Sequence, residues 1–407
     1  MNRIEKLIAE LCPDGVEWKK LGEVAEISTG GSAPQGIEYF GGNNPFVRVQ
    51  HISNEYYRVI NCDYITDKAI KKYRLKLFPK DTIIFPKSGA SIYLEKRAKL
   101  PYDAYIVSHL MAVISKSPLL SQDYLFIYLT NKKLSKDKAD SYPTLNISEV
   151  SELPIPIPPL PIQEEIVKIL DTFTELEAEL EAELEARKKQ YEYYRNTLLT
   201  PVEHNGRWYL NGKEVEWKKL EEVCELEYGY TDIAKKEGNV RFIRITDIDE
   251  NGKLRVTDPK YTELKEENKK YLLSKGDILV ARTGATYGKT VLFNKDYEAV
   301  YASFLIRVKL NKTILSSYYW HFAQSNYYWK QAKKMVGGGA QPQFNANVLK
   351  NLQIPIPPLS EQERIVAILD KFDALVNDIT KGLPAEIEAR RKQYEYYRNK
   401  LLNFSNR

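Results

Sequence analysis

Two short segments of this chain carry the same chemical kit. Lys87-Ser88-Gly89-Ala90-Ser91 and Arg282-Thr283-Gly284-Ala285-Thr286 each combine a cation, two hydroxyls and a glycine, and each follows a run of residues that reads as a strand. Such groups on a protruding turn can grip phosphates and base edges of duplex DNA, and the glycine permits close backbone approach. An ordinary glycine turn has the same composition. A second pair lies farther along: Gly337 to Asn345 brings Gln341, Gln343 and Asn345 after three glycines, and Ser141 to Asn146 is its counterpart, ending in Asn146. Amide side chains suit adenine in the major groove, although a plain linker reads equally well. Arg48 and His51, with Arg244, Thr246 and Lys289, complete the set of DNA-binding candidates.

Other chemistry finds little support. Gly284 to Thr290 resembles a phosphate-binding loop but has three residues between its glycines where four are needed, and Val291 to Phe293 reads as a strand rather than a helix. The four histidines, His51, His109, His204 and His321, have no partner at metal-ligand spacing. No serine elbow is present, and Asn44-Pro45-Phe46 lacks the second proline of a methyl-donor enzyme's Asn-Pro-Pro turn. Catalytic and metal sites are therefore expected to be absent. Three cysteines at unrelated spacings, Cys12, Cys62 and Cys224, fit a reducing compartment.

The elements that position the candidate residues occur twice. Val16-Glu17-Trp18-Lys19-Lys20-Leu21 returns at Val215 to Leu220, and Ile155-Pro156-Ile157-Pro158-Pro159-Leu160 returns at Ile354 to Leu359. Arg187 to Leu199 returns almost verbatim as Arg390 to Leu402. Between these blocks only a skeleton survives, such as Phe46-Val47-Arg48-Val49 against Phe242-Ile243-Arg244-Ile245. A tandem duplication is the reading, with two heads of one fold and different surfaces. Strands are expected at Pro45 to Ile52, Thr82 to Phe85, Phe242 to Ile248 and Asp277 to Ala281, and helices at Gln122 to Lys133 and Ser316 to Lys334. Each head is then α+β with a mixed or antiparallel sheet.

Past each proline segment the period becomes helical. Ile166, Ile169, Phe173, Leu176, Leu180, Leu184, Tyr191, Tyr194 and Leu198 form one apolar stripe, whose natural partner is Ile365, Ile368, Phe372, Leu375, Ile379, Ile387, Tyr394, Tyr397 and Leu401. The repeat in Thr174 to Ala186 forms a stutter without stopping the first helix, whereas Gly382 and Pro384 predict a kink or break near Leu383 in the second.

Length and composition are permissive. The 407 residues call for two or more domains, the formal charge of +5 is only mildly basic, and twenty-nine tyrosines are more often core than phosphate ligands. No apolar run spans a bilayer and no cleavable leader is evident, so a cytoplasmic location is expected.

With its paired Val-Glu-Trp-Lys-Lys-Leu entries, its paired Ile-Pro-Ile-Pro-Pro-Leu segments followed by Gln163 and Gln362, and its paired Lys-Gln-Tyr-Glu-Tyr-Tyr-Arg helices, the chain resembles a specificity subunit of a type I restriction-modification system. The resemblance covers nearly the whole length. It implies two target recognition domains separated by two long helices packed as an antiparallel coiled coil, with internal pseudo-two-fold symmetry. The expected division is 1–152 and 201–351 for the heads, and 153–200 and 352–407 for the repeated helical regions. Each head would read one half of a split double-stranded DNA target, and the helices would set the spacer. The chain itself would be non-catalytic and without cofactor. Two methyltransferase subunits would supply S-adenosylmethionine chemistry, and two restriction subunits would use ATP and Mg2+. The expected methyltransferase docking residues are Pro158, Gln163, Tyr191, Tyr194, Arg195, Pro357, Gln362, Tyr394, Tyr397 and Arg398. A coiled-coil adaptor holding two protein-binding heads, or a nucleotide hydrolase built on Gly284 to Thr290, are the rival readings.

Overall fold

The computed structural model describes residues 2–53, 57–135, 143–336 and 343–404. The chain packs as two units, Met1–Ala178 with Ala389–Arg407, and Glu179–Glu388. Packing thus cuts across the four sequence segments, because each unit takes a head together with portions of both helical regions.

In the first unit, the strands Ala25–Thr29, Leu110–Ser115, Ile83–Pro86 and Ala98–Lys99 form an antiparallel sheet in that order. The second unit repeats it with Cys224–Tyr228, Leu305–Leu310, Ile278–Ala281 and Thr290–Leu292. Ile83–Pro86 and Ile278–Ala281 are buried throughout, which is why both read as unbroken apolar runs rather than alternating ones. A second, mixed sheet stands in each head. Phe40–Val47 pairs parallel with Ala104–Ile106, and Val240–Ile243 pairs parallel with Ala299–Tyr301. The strands expected to reach Ile52 and Ile248 stop earlier, because Val49–His51 and Ile245–Asp247 close into single 3₁₀ turns. The expected helix from Ser316 is two helices, Ser316–Phe322 and Asn326–Val336.

Two matched glycines join the sheets. A Cβ on Gly30 would lie 2.2 Å from the carbonyl oxygen of Ile106, and one on Gly229 would lie 2.3 Å from that of Ala302, so no side chain fits at either crossing. The proline segments are strands rather than linkers: Trp18–Lys20 pairs with Pro154–Pro156, and Lys213–Lys219 with Gln353–Ile356. Tyr124 and Tyr318 donate from their hydroxyls to the carbonyls of Pro156 and Pro355, at 3.2 and 3.0 Å. The second unit adds a hairpin, Val202–His204 with Arg207–Leu210, turned by Asn205-Gly206 with both residues at positive φ.

Leu160–Leu199 is a continuous helix of 40 residues, while the second repeat is broken into Leu359–Asn377 and Leu383–Leu401, as the glycine and proline require. Gly382 sits where a Cβ would meet the carbonyl oxygens of Ala374 at 2.5 Å and Leu375 at 2.7 Å. Within the first unit the start of the long helix meets the end of the last one. Phe173 stacks on Tyr397 at 5.3 Å, and Glu177 pairs with Arg391, so the residue numbers run in opposite directions. Within the second unit Phe372 stacks on Tyr191 and Tyr194. The predicted stripes need correcting: Leu176, Tyr194 and Ile379 are 39%, 37% and 67% exposed, and Glu177 takes the inner position next to Leu176, its carboxylate matched by the Arg391 guanidinium.

Candidate nucleic-acid interface

In each head the two candidate loops are zipped together by matched bonds. The Leu145 N–H donates to the carbonyl of Lys87 at 2.7 Å, and the Phe344 N–H donates to that of Arg282 at 2.8 Å. Ser88 bridges to Thr144, and Thr283 bridges to Gln343. The hydroxyls of Ser91 and Thr286 donate back to the carbonyls of Ser88 and Thr283, at 3.0 and 3.3 Å, and close equivalent turns. Gly89 and Gly284 both have positive φ, near +70°, the backbone state for which the glycine was singled out. Segments far apart in sequence therefore form one surface patch per head.

The patches differ chemically. In the first head the Ser88 hydroxyl lies 2.6 Å from Nδ1 of His109, beside the half-buried Lys87. In the second, the Arg282 guanidinium lies 5.2 Å from the Tyr228 ring centre and 5.4 Å from that of Phe304, with Nε donating to the carbonyl of Ser303 at 2.9 Å. Gln343 is exposed beside it, and Lys289 is half-buried in the strand-entry turn. Gln341 lies outside the described residues.

Several candidates are spent on the fold. Arg48 is held by Asp63 at 2.6 Å and lies over the Phe40 and Phe46 rings, and Arg244 is held by Asp247 at 2.9 Å. Both charges are answered within the head. His51 is buried and accepts the Arg48 N–H at Nδ1 (3.0 Å), the task that Asp247 performs for the Arg244 N–H (2.8 Å). Burial also holds the His51 imidazole below its ordinary pKa. His51 is thus a turn-closing residue rather than a base reader. Asn345 caps the helix Ala346–Lys350 by accepting the Val348 N–H, and Asn146 opens the helix Ile147–Ser151 with its N–H donating to Glu149. Thr246 is exposed, and so is its positional counterpart Gln50, which sequence reasoning missed. The duplication itself was the signal, since Gln50 occupies the same place in the matched turn.

The docking candidates need a larger correction. Gln163 and Gln362 are completely buried. Gln163 accepts the Ser121 N–H (2.8 Å) and donates to the carbonyls of Leu119 (2.7 Å) and Pro158 (2.6 Å). Gln362 accepts the Leu315 N–H (2.9 Å) and donates to those of Thr313 (2.8 Å) and Pro357 (2.9 Å). These side chains fasten each long helix to its head. Pro158, Pro357 and Tyr191 are buried too, and Tyr191 faces His321, which meets Asp370 at 2.7 Å. Arg195 and Arg398 lie over the rings of Tyr191 and Tyr394, at 5.0 and 5.3 Å, while Tyr194 and Tyr397 stack on phenylalanines. Among the exposed residues of this block are Tyr193 and Tyr396, 65% and 60% exposed, and the candidate Tyr194 is 37% exposed. Tyr193 and Tyr396 fall off the apolar stripe, which is how the pattern could have revealed them.

A model described as the type I restriction modification DNA specificity domain matches the chain twice, over 13–186 and 212–389. The chain belongs to that family. Its duplicated recognition heads serve DNA sequence recognition in a restriction-modification system. A putative type I restriction enzyme specificity subunit of Haemophilus influenzae is 33% identical, covering 96% of each chain. The specificity subunit of the EcoR124I/EcoR124II type I restriction enzyme from Escherichia coli is 38% identical over 63% of this chain and 65% of its own length. Among solved structures, one described under complex assembly and conformational transition of the type I R-M system superposes with a TM-score of 0.64 at 20% identity, covering 96% of this chain and 98% of that one. The type I S subunit from M. genitalium gives 0.55 at 14%, covering 95% and 96%, and both likenesses concern the fold alone. Among the described residues, no helix is long and apolar enough to cross a membrane.

Proposed function

We propose that each head of this specificity-family chain reads one half of a bipartite, asymmetric DNA target, and that the two helical repeats set the spacer between the halves. The observation that carries this reading is the pair of zipped loops. One backbone scaffold presents Lys87, Ser88 and Ser91 in one head and Arg282, Thr283 and Thr286 in the other. A shared frame with unlike side chains is what two different half-sites call for, since phosphate contacts position a protein and base contacts specify the sequence.

The chain confers specificity and performs no chemistry of its own. Methylation with S-adenosylmethionine, and cleavage driven by ATP and Mg2+, would belong to partner subunits, two methyltransferase and two restriction chains in a full complex. Support comes from the near-verbatim Arg187 to Leu199 and Arg390 to Leu402 blocks, which expose the same tyrosine twice and so offer two copies of one partner the same foothold. Tyr193 and Tyr396 take the place of the buried candidates Pro158, Gln163, Tyr191, Pro357 and Gln362 as docking residues, beside the exposed Tyr194. The test is to map methylated adenines in cells that express the chain with its partner subunits. One split motif of two unlike halves is expected; modification independent of sequence overturns the reading.

A further inference from the structure

We propose that Arg282 is a specificity-determining residue of the second head and reads a guanine in its half-site through a two-pronged major-groove contact. This rests on the reading of the heads as DNA-binding modules and names one base that one of them must recognise.

Three contacts constrain this side chain. Nε donates to the Ser303 carbonyl at 2.9 Å, and the guanidinium is flanked by the rings of Tyr228 and Phe304. Tyr228 is itself anchored, because its hydroxyl accepts the Ala346 N–H at 2.9 Å and so ties the ring to the partner loop of the zip. Phe304 is 50% exposed and Tyr228 is 43% exposed, so the flanking rings stand at the surface rather than in the core. Among the described residues, no bond engages Nη1 or Nη2 of Arg282.

An arginine fixed at Nε and along its flanks keeps one planar edge of donors in a set direction. Guanine displays two acceptors, O6 and N7, at the spacing that such a fork spans. A phosphate contact needs no such restraint, since charge attraction tolerates many orientations. Ordering the fork in advance removes part of the entropy cost that binding would otherwise carry. The first head lacks the whole arrangement: the corresponding residues are Lys87, Thr29 and His109. The position therefore differs between heads while the loop around it stays the same, as a base-reading position should.

The experiment uses the full chain assembled with its methyltransferase subunits. Once methylation mapping has given the target, binding is measured on duplexes carrying single base-pair changes in either half, at several salt concentrations. The second head's half-site is expected to contain a guanine whose replacement weakens binding by the wild-type complex roughly 5- to 150-fold. Arg282→Gln should erase that preference and Arg282→Lys should weaken it, while discrimination at the other positions of the second half-site persists, which shows that the second head still folds in each variant. A uniform loss on all sequences with a shallower salt dependence would make Arg282 a phosphate contact and overturn the proposal. Unchanged discrimination in both variants, or a second half-site without guanine, would also overturn it. Should the wild-type complex itself show no sequence preference, the underlying DNA-reading assignment fails, a result that separates the two failures.

Discussion

Nε of Arg391 donates to the Glu177 carboxylate at 2.5 Å, on the face where the start of the long helix meets the end of the last one within the first unit. The apolar stripe of the helices is interrupted there by an ion pair, one turn from the Phe173–Tyr397 stack. Because Arg391 is 41% exposed, solvent screens the attraction. We predict a coupling of about 0.3–1 kcal/mol in a double-mutant cycle with Glu177→Ala and Arg391→Ala, shrinking as salt is raised. Denaturant melts of the four proteins measure it, and a zero coupling at low salt would show that the pair is incidental.

Gln163→Leu and Gln362→Leu should each destabilise their own unit. Either change strands a part-buried N–H, a part-buried carbonyl and the buried carbonyl of Pro158 or Pro357, all of which the buried amide now satisfies. Since leaving a buried polar group without a partner costs about 1–3 kcal/mol, a loss of at least ~2 kcal/mol is expected in each variant. Chemical denaturation resolves this readily. A loss under ~0.5 kcal/mol in both would mean that the amides hold nothing together.

Acidification should weaken the first head through His51. Burial lowers the imidazole's pKa, Asp63 opposes that shift, and Arg48 adds to it. The unfolded chain therefore takes up the proton first. The stabilising contribution is complete above the unfolded value, near 6.5, and is lost as pH falls through the lower folded value. In His51→Asn this part of the acid sensitivity should vanish. Equal slopes of stability against pH below about 6.5 in variant and parent would refute the assignment.

Lengthening the first helix offers a test of the spacer proposal. One additional Leu-Glu-Ala-Glu unit within Thr174 to Ala186 adds roughly 6 Å of helix, comparable with one or two base pairs. The recognised gap should change while both half-sites persist. Methylation mapping reads this directly, and an altered half-site with an unchanged gap would count against a ruler.

The sequence alone was enough to establish the duplication, the α+β heads, the unbroken first helix and the break at Gly382. Each of these is encoded locally, by repetition, by period, or by a glycine and a proline that stop a helix wherever they stand. It also named both loops of each candidate patch. That Lys87 and Arg282 are zipped to the segments beginning at Thr144 and Gln343 depended on bonds between residues some sixty positions apart, which no local pattern records. The same limit explains the misassigned side chains. Gln163 and Gln362 recur because each closes the same three hydrogen bonds, and His51 sits where Asp247 caps the matching turn. Recurrence in sequence reports that a residue is needed; whether the need is inside the fold or at its surface was decided by the neighbours that tertiary packing brought to it.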